Sequence, residues 1–70
     1  RLTGQLGKVF RLMEDGKFRT LREIADAVGG SEAGVSARLR DLRKDKFGAH
    51  LVVGERSSVS GLWIYRLEAS

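Results

Sequence analysis

Apolar residues recur at helical spacing in three separate stretches of the first two thirds of the chain. They are Leu6, Val9, Phe10 and Met13 in the first stretch, Ile24, Ala25 and Val28 in the second, and Val35, Leu39 and Leu42 in the third. Spacings of three and four residues place such side chains on one face of a helix, which buries that face against a core. The pattern predicts three amphipathic helices, at about residues 4–15, 21–28 and 32–46.

Polar residues and glycines mark the boundary between the second and third helices. Thr20 and Glu23 fit the S/T-x-x-E capping box, in which each side chain accepts a hydrogen bond from the backbone N–H group of the other residue. Gly29 and Gly30 stop the second helix and supply the positive φ angles that a sharp turn needs. Ser31 then caps the third helix. These signals predict two helices joined by a tight turn.

After residue 48 the period of the pattern changes from helical to alternating, which is typical of β-strands. Residues 17–19 are too few for a helix and are predicted to form one short strand that places Phe18 in the core. Residues 50–53 and 62–67 are predicted to be two strands joined by a long polar connection. Residues 49–67 would then form one β-hairpin.

The second strand of this hairpin offers two faces that compete for the core. Trp63, Tyr65 and Leu67 share one face, and Leu62 and Ile64 share the other. We expect the first set to pack under the helices, because it carries the larger apolar surface. A shift of one residue in strand register would exchange the two faces, so the second set stays an alternative.

The composition is that of one small domain with a positive charge. Seventy residues leave room for a single core over residues 1–70, and 13 Lys and Arg residues against 9 Asp and Glu residues give a net charge of +4. Residues 35–48 hold five of the basic residues and only two of the acidic ones. Such a segment favours a polyanionic partner, but the alternative is a solvated helix face held by ion pairs such as Asp41 with Lys44.

The third helix turns small and basic side chains away from its buried stripe. With about 100° per residue, the face opposite the stripe presents Ala33, Ala37, Arg40 and Lys44, with Ser36 and Asp41 on its flanks. A helix that enters a DNA major groove ~12 Å wide needs small residues near its leading end and hydrogen-bond donors along its exposed face. The third helix has both, which favours DNA binding. The alternative is that small residues are merely tolerated on an exposed surface.

Several classes of protein are disfavoured by what the sequence lacks. It contains no Cys and one His, no glycine-rich phosphate loop and no H-x-x-x-H spacing, so we expect no enzyme activity, metal, cofactor or small-molecule substrate. His50 is interpreted as an ordinary polar residue at the start of a strand. No apolar run approaches the ~18 residues of a membrane span, and the first residues lack the charged, apolar and small-residue pattern of a signal peptide, so we expect neither. The expected setting is the cytoplasm, without membrane contact.

The order of the predicted elements, together with particular residues, resembles a known family. Those residues are Ala25, Val28 and Gly29 in the second helix and turn, Val35 and Leu39 in the third helix, and Tyr65, Arg66 and Leu67 in the last strand. The chain resembles winged helix-turn-helix domains over nearly its whole length. The segment VSARLRDLRK, followed by a glycine and a hairpin ending in YRL, is similar to small helix-turn-helix proteins of bacteriophages and bacteria. The resemblance implies an α+β fold with three helices, a short strand after the first, and a C-terminal hairpin as the wing.

The resemblance also implies a function and the residues that carry it. Winged helix-turn-helix domains bind double-stranded DNA sequence-specifically through a recognition helix in the major groove, often to regulate transcription. Transferred by position, base-edge contacts fall to Ser36, Ala37 and Arg40 behind a leading end at Ser31 and Ala33, phosphate contacts to Arg38, Arg43 and Lys44, wing contacts to Arg56, Ser57 and Ser58, and a further phosphate contact to Thr20 and Arg22. Arg40 is the first candidate for base contact, because Arg forms bidentate hydrogen bonds with guanine. The wing is the weakest candidate, because Arg56 is its one cation.

Two other functions stay open at this point. Winged helices also build protein assemblies, since fold does not fix function, and the face with Leu62 and Ile64 would then be the docking surface. Alternatively, the same basic helix would bind RNA without entering a major groove. Because the chain begins at Arg1 rather than Met, other domains of a longer chain, or a protein partner, are also candidate contacts.

Overall fold

The computed structural model describes residues 3–68 as three helices packed on one small sheet. In chain order the elements are α1 (Gly4–Met13), β1 (Arg19–Thr20), α2 (Leu21–Val28), α3 (Glu32–Leu42), a 3-10 turn (Asp45–Phe47), β2 (Leu51–Arg56) and β3 (Trp63–Glu68). The sheet has the strand order β1-β3-β2, and both neighbouring pairs are antiparallel. The predicted α+β class with three helices is confirmed.

The signals predicted around α2 form as expected. Thr20 Oγ1 accepts a hydrogen bond from the Glu23 N–H group at 3.1 Å, and Glu23 Oε1 accepts one from the Thr20 N–H group at 2.8 Å. This reciprocal pair is the predicted capping box. Gly29 and Gly30 adopt φ angles of +83° and +111°, a region that residues with a Cβ disfavour. The predicted bounds of α2 and the turn after it are therefore confirmed.

The other two helices end earlier than predicted. α1 ends at Met13 rather than near residue 15, and α3 ends at Leu42 rather than near residue 46. The Arg43 and Lys44 N–H groups donate to carbonyls three residues back, which tightens the last turn of α3 into 3-10 geometry. Lys44 is then extended, with φ −76° and ψ 145°. The basic residues after Leu42 consequently leave the axis of α3.

The first strand was also placed wrongly. It comprises Arg19–Thr20 rather than residues 17–19, and it pairs with β3. Phe18, which was expected in the core, is 38% exposed. A strand of two residues takes its position from the partner strand, because its own pattern is too short to specify a register.

The hairpin strands lie slightly later in the chain than predicted. β2 begins at Leu51 and runs to Arg56 instead of ending at residue 53, and β3 is Trp63–Glu68 instead of residues 62–67. The register of the pair places Val52 opposite Leu67. Both of these side chains are buried, so this pair anchors the hairpin in the core.

β3 buries only part of the face that was predicted to lie under the helices. Leu67 is buried and Tyr65 is half-buried against the core, but Trp63 is 55% exposed. The alternative face is not buried in its place, since Leu62 is 58% exposed. Alternation therefore identified the correct face at Leu67, but it does not reveal how far along a strand the helices extend.

The core draws on all three helices and both hairpin strands. Its buried members are Leu6, Val9, Met13, Ile24, Ala25, Val35, Leu39, Leu42, Val52 and Leu67. Most positions of the three predicted helical stripes are among them. The burial of the α3 stripe decides which face of α3 stays outside.

Candidate nucleic-acid interface

The start of α3 is fixed by its own cap and by α1. Ser31 Oγ accepts a hydrogen bond from the Gly34 N–H group at 3.0 Å, which satisfies one of the amide groups left without a partner at a helix start. Gln5 Nε2 of α1 donates to the Gly29 carbonyl at 2.9 Å. Gly30 leaves room for this amide, since a Cβ there would lie 2.5 Å from Gln5 Nε2. Together these contacts fix the direction in which α3 leaves the turn.

α3 buries one face and exposes the other. Val35, Leu39 and Leu42 lie in the core, where α3 packs against α1 and α2. Among the contact residues predicted for residues 31–44, the exposed ones are Ser31, Ala33, Arg40, Arg43 and Lys44, and the half-buried ones are Ser36, Ala37 and Arg38. The small side chains leave the outer surface of the helix open to a partner.

Arg40 is the cation of α3 without an acidic or backbone partner within residues 3–68. Its Nη1 lies 3.4 Å from Ser36 Oγ, one turn earlier on the same helix. This distance is at the long end for a hydrogen bond, so the hydroxyl orients the guanidinium while its other donors keep no partner in this part of the chain. Arg40 is therefore placed to bind an acceptor outside the protein.

Arg38 and Lys44 instead share one carboxylate. Arg38 Nε donates to Asp41 Oδ2 at 3.0 Å, and Lys44 Nζ lies 3.1 Å from Asp41 Oδ1. Hydrogen bonding to Lys44, and secondly to Arg38, holds the pKa of Asp41 below its usual value against the opposing effect of burial. We name these three residues the Asp41 clamp. The pairing of Asp41 with Lys44, which the alternative of a solvated helix face named, is thus present.

Arg43 makes a structural contact at the end of α3. Its Nη2 donates to the Val52 carbonyl of β2 at 2.8 Å, which ties the helix to the hairpin. The residue was predicted to meet phosphate, but this bond orients its guanidinium towards the protein. Arg43 is therefore a weaker candidate for phosphate contact than Lys44, whose partner is another side chain.

Thr20 and Arg22 lie near the start of α3, beside an open groove. The groove has a volume of about 360 Å³ and is lined by Thr20, Leu21, Arg22, Glu32, Leu62, Trp63 and Tyr65. The Thr20 N–H group is already bonded within the capping box, and Arg22 Nε lies 3.5 Å from Asp26 Oδ1 at the exposed surface. A phosphate contact here would depend on the Arg22 side chain rather than on the Thr20 amide.

The tip of the hairpin is organised by its own residues. Arg56 Nε donates to the Gly61 carbonyl at 3.0 Å. Ser57 Oγ accepts hydrogen bonds from the Val59 and Ser60 N–H groups at 3.3 and 3.2 Å. Of the three predicted wing contacts, Arg56 and Ser58 are exposed and Ser57 is half-buried. Arg56 and Ser57 already serve the loop, which makes the tip a less available surface than α3.

One ion pair in the connection between α1 and β1 escaped prediction. Arg19 Nη1 and Nη2 donate to Asp15 Oδ1 and Oδ2 at 2.9 and 2.7 Å. The Arg19 guanidinium, with the Lys17 N–H group second, holds the pKa of Asp15 well below its usual range. The four-residue spacing carried no signal, because it lies outside a helix. The pair supports the chain ahead of α2 and does not join the α3 surface.

The apolar side of the groove was predicted only in part, since Leu62 belongs to the face named as a docking surface and Trp63 was expected in the core. Leu62 and Trp63 are 58% and 55% exposed and both line it. A signal was present, since consecutive residues in a strand point to opposite faces and cannot both enter one core. These two side chains were instead treated as rivals for burial.

The remaining chemistry of the described residues is sparse. Within residues 3–68 no group of three or more His, Cys, Asp or Glu side chains is placed to hold a metal ion. His50 lies just before β2, half-buried, with its ring centroid 4.8 Å from that of Phe10. No helix in this part of the chain is long and apolar enough to cross a membrane.

The chain is thus a small α+β domain whose third helix is buried along one face and exposed along the other. Comparison with protein-family models found no match to the chain, and comparisons with curated proteins and with solved structures found none either. Function is therefore inferred from the residues and their geometry.

Proposed function

We propose that this chain is a winged helix-turn-helix domain that binds double-stranded DNA by placing α3 in the major groove. The order of α1, β1, α2, α3 and the β2–β3 hairpin supports the assignment. So does the three-residue turn between α2 and α3, which runs from Gly29 to Ser31. The hairpin then corresponds to the wing, and α3 to the recognition helix.

The observation that carries the proposal is that the Arg40 guanidinium is exposed and available for binding. It is exposed on α3, held at 3.4 Å by Ser36 Oγ, and without an acidic partner within residues 3–68. The small side chains of Ala33 and Ala37 precede it on the outer face. A guanidinium placed this way would donate two hydrogen bonds to O6 and N7 of a guanine, the commonest specific contact in the major groove.

Phosphate contacts fall to the cations around Arg40. Lys44 is exposed just past the C-terminal end of α3, and Arg38 lies on the flank of α3. Such contacts fix position on the duplex without reading sequence. Arg56 and Arg43 have lesser roles in this proposal, because each already donates to a backbone carbonyl of the protein.

Binding to a random duplex library tests the proposal. Fluorescence anisotropy at about 50 mM salt should detect binding, and log Kobs should fall linearly with log salt at about 0.9 per phosphate contacted. Selection from the library should enrich one sequence that contains a guanine. An RNA duplex and single strands of matched length serve as controls. No binding to any DNA duplex at low salt would contradict the proposal.

A second candidate, a protein-interaction module, is favoured by the apolar groove. Leu62 and Trp63 are exposed beside it, and exposed apolar surface of this kind often marks a contact site. Leu62→Asp should abolish a partner interaction under this candidate while leaving duplex affinity intact. Leu51→Asp is the matched control, because Leu51 is equally exposed at 58% and lies outside the groove.

A further inference from the structure

One carboxylate on the flank of α3 is held between two cations. Asp41 Oδ1 is 3.1 Å from Lys44 Nζ, and Asp41 Oδ2 is 3.0 Å from Arg38 Nε. The Asp41 side chain is 19% exposed, against 34% for Arg38 and 58% for Lys44. The carboxylate is therefore largely covered, and both of its oxygens are occupied.

The cations at the C-terminal half of α3 and just after it differ in whether the Asp41 carboxylate holds them. Arg38, Asp41 and Lys44 follow one another at intervals of three residues, so they share one side of the helix end. Arg40 has no such carboxylate within residues 3–68 and rests on Ser36 instead. The residue suited to reading bases is thus available, whereas the two suited to phosphate are restrained.

We infer that Asp41 determines specificity at this surface by restraining Arg38 and Lys44 from generic phosphate binding. The inference rests on the proposed function. A phosphate that approaches either cation must compete with a carboxylate already bonded to it. Phosphate contacts supply most of the affinity for non-specific DNA, whereas base contacts discriminate between sequences. Weaker phosphate contacts lower the affinity for all duplexes and raise the ratio of specific to non-specific binding.

Asp41→Asn tests this role, with Asp45→Asn as the matched control. Both substitutions are nearly isosteric and remove one negative charge, but Asp45 forms no ion pair within residues 3–68. Anisotropy titrations at several salt concentrations use two duplexes, the sequence selected from the library and a shuffled one. Thermal melts of each variant verify folding.

For Asp41→Asn we expect affinity for the shuffled duplex to rise on the order of tenfold, because Arg38 and Lys44 are then released to bind one or two more phosphates. The slope of log Kobs against log salt should steepen by about 0.9 for each added phosphate contact. The ratio of selected to shuffled affinity should fall. Asp45→Asn should change both duplexes by the same small factor and leave the slope unaltered.

A double-mutant cycle that combines Asp41→Asn with Lys44→Gln gives a second measurement, which does not depend on a single variant. In the parent, Lys44→Gln should weaken shuffled-duplex binding only slightly, since the ammonium is held by Asp41. In the Asp41→Asn background the same change should abolish much of the gained affinity. Additive effects would overturn the inference, as would equal behaviour of Asp41→Asn and Asp45→Asn.

The proposed function fails separately from this inference. If the parent binds and selects a duplex but Asp41→Asn leaves the salt slope and the affinity ratio unchanged, the clamp role is wrong and DNA binding stands. If neither the parent nor Asp41→Asn binds any duplex at about 50 mM salt, where phosphate contacts are strongest, both are wrong.

Discussion

The outer face of α3 and the tip of the β2–β3 hairpin were both predicted to contact DNA, and they differ in what their cations do. Arg40 on α3 has only a long contact to Ser36, whereas Arg56 in the hairpin donates to the Gly61 carbonyl of its own loop. Both residues are exposed. The difference shows that exposure and charge do not by themselves make a cation available, because a hydrogen bond within the protein must be replaced before a ligand gains one.

The largest contrast should come from truncating one leucine in each region. Leu42 is 0% exposed on the buried face of α3, and Leu62 is 58% exposed in the loop at the hairpin tip. Leu42→Ala leaves a cavity, so we expect a loss of about 2–5 kcal/mol in the free energy of unfolding. Leu62→Ala should change it by about 0.5 kcal/mol or less. Urea denaturation measures both, and comparable losses would show that Leu62 at the hairpin tip packs as closely as Leu42 does.

Glycine substitutions compare the turn before α3 with the hairpin tip. Gly61→Ala, at φ +76° with open space around it, should cost about 1–2 kcal/mol through backbone strain alone. Gly30→Ala, at φ +111°, also displaces the Gln5 amide, so we expect roughly 1 kcal/mol more from the lost hydrogen bond. Thermal unfolding ranks the two. Equal effects would mean that Gln5 does not hold the turn.

Arginine substitutions test the comparison in DNA binding. Arg40→Ala should weaken the selected duplex by about 1–3 kcal/mol and relax base preference at one position. Arg56→Ala should resemble Arg11→Ala, a control that removes an exposed cation of α1. Lys44→Ala should weaken all duplexes slightly and by similar factors, because Asp41 already holds the Lys44 ammonium. If Arg56→Ala cost as much as Arg40→Ala, the hairpin would be a full partner in binding.

The smallest effect is expected from acid, and it lies outside the hairpin. The pKa values of Asp15 and Asp41 are lowered in the folded chain by Arg19 and Lys44 respectively. Their contributions to stability are therefore complete above the unfolded pKa, about 3.9, and are lost as the pH falls below it. The melting temperature should decline below about pH 4, and less steeply in Asp15→Asn and Asp41→Asn. Parallel declines in the parent and both variants would show that Asp15 and Asp41 do not cause the loss of stability in acid.

Local signals predicted the helical half of the fold well. The capping box of Thr20 and Glu23 and the turn at Gly29 and Gly30 involve neighbours in sequence, so their geometry follows from residue type. Phe18 shows the opposite case: two residues of β1 pair with β3, and nothing in three consecutive residues specifies that register. Trp63 was expected in the core and is exposed for another reason, because alternation does not reveal how far along β3 the helices extend.

The candidate site divides along the same line. By itself the sequence determined which face of α3 is buried, because the spacing of Val35, Leu39 and Leu42 allows one solution. Only the tertiary structure decided which of the cations predicted to contact DNA are available. Arg43 bonds to Val52 nine residues on, and Arg56 closes its own loop. Each of these contacts depends on where the backbone segment that carries the accepting carbonyl lies. The type of the side chain alone does not predict that position.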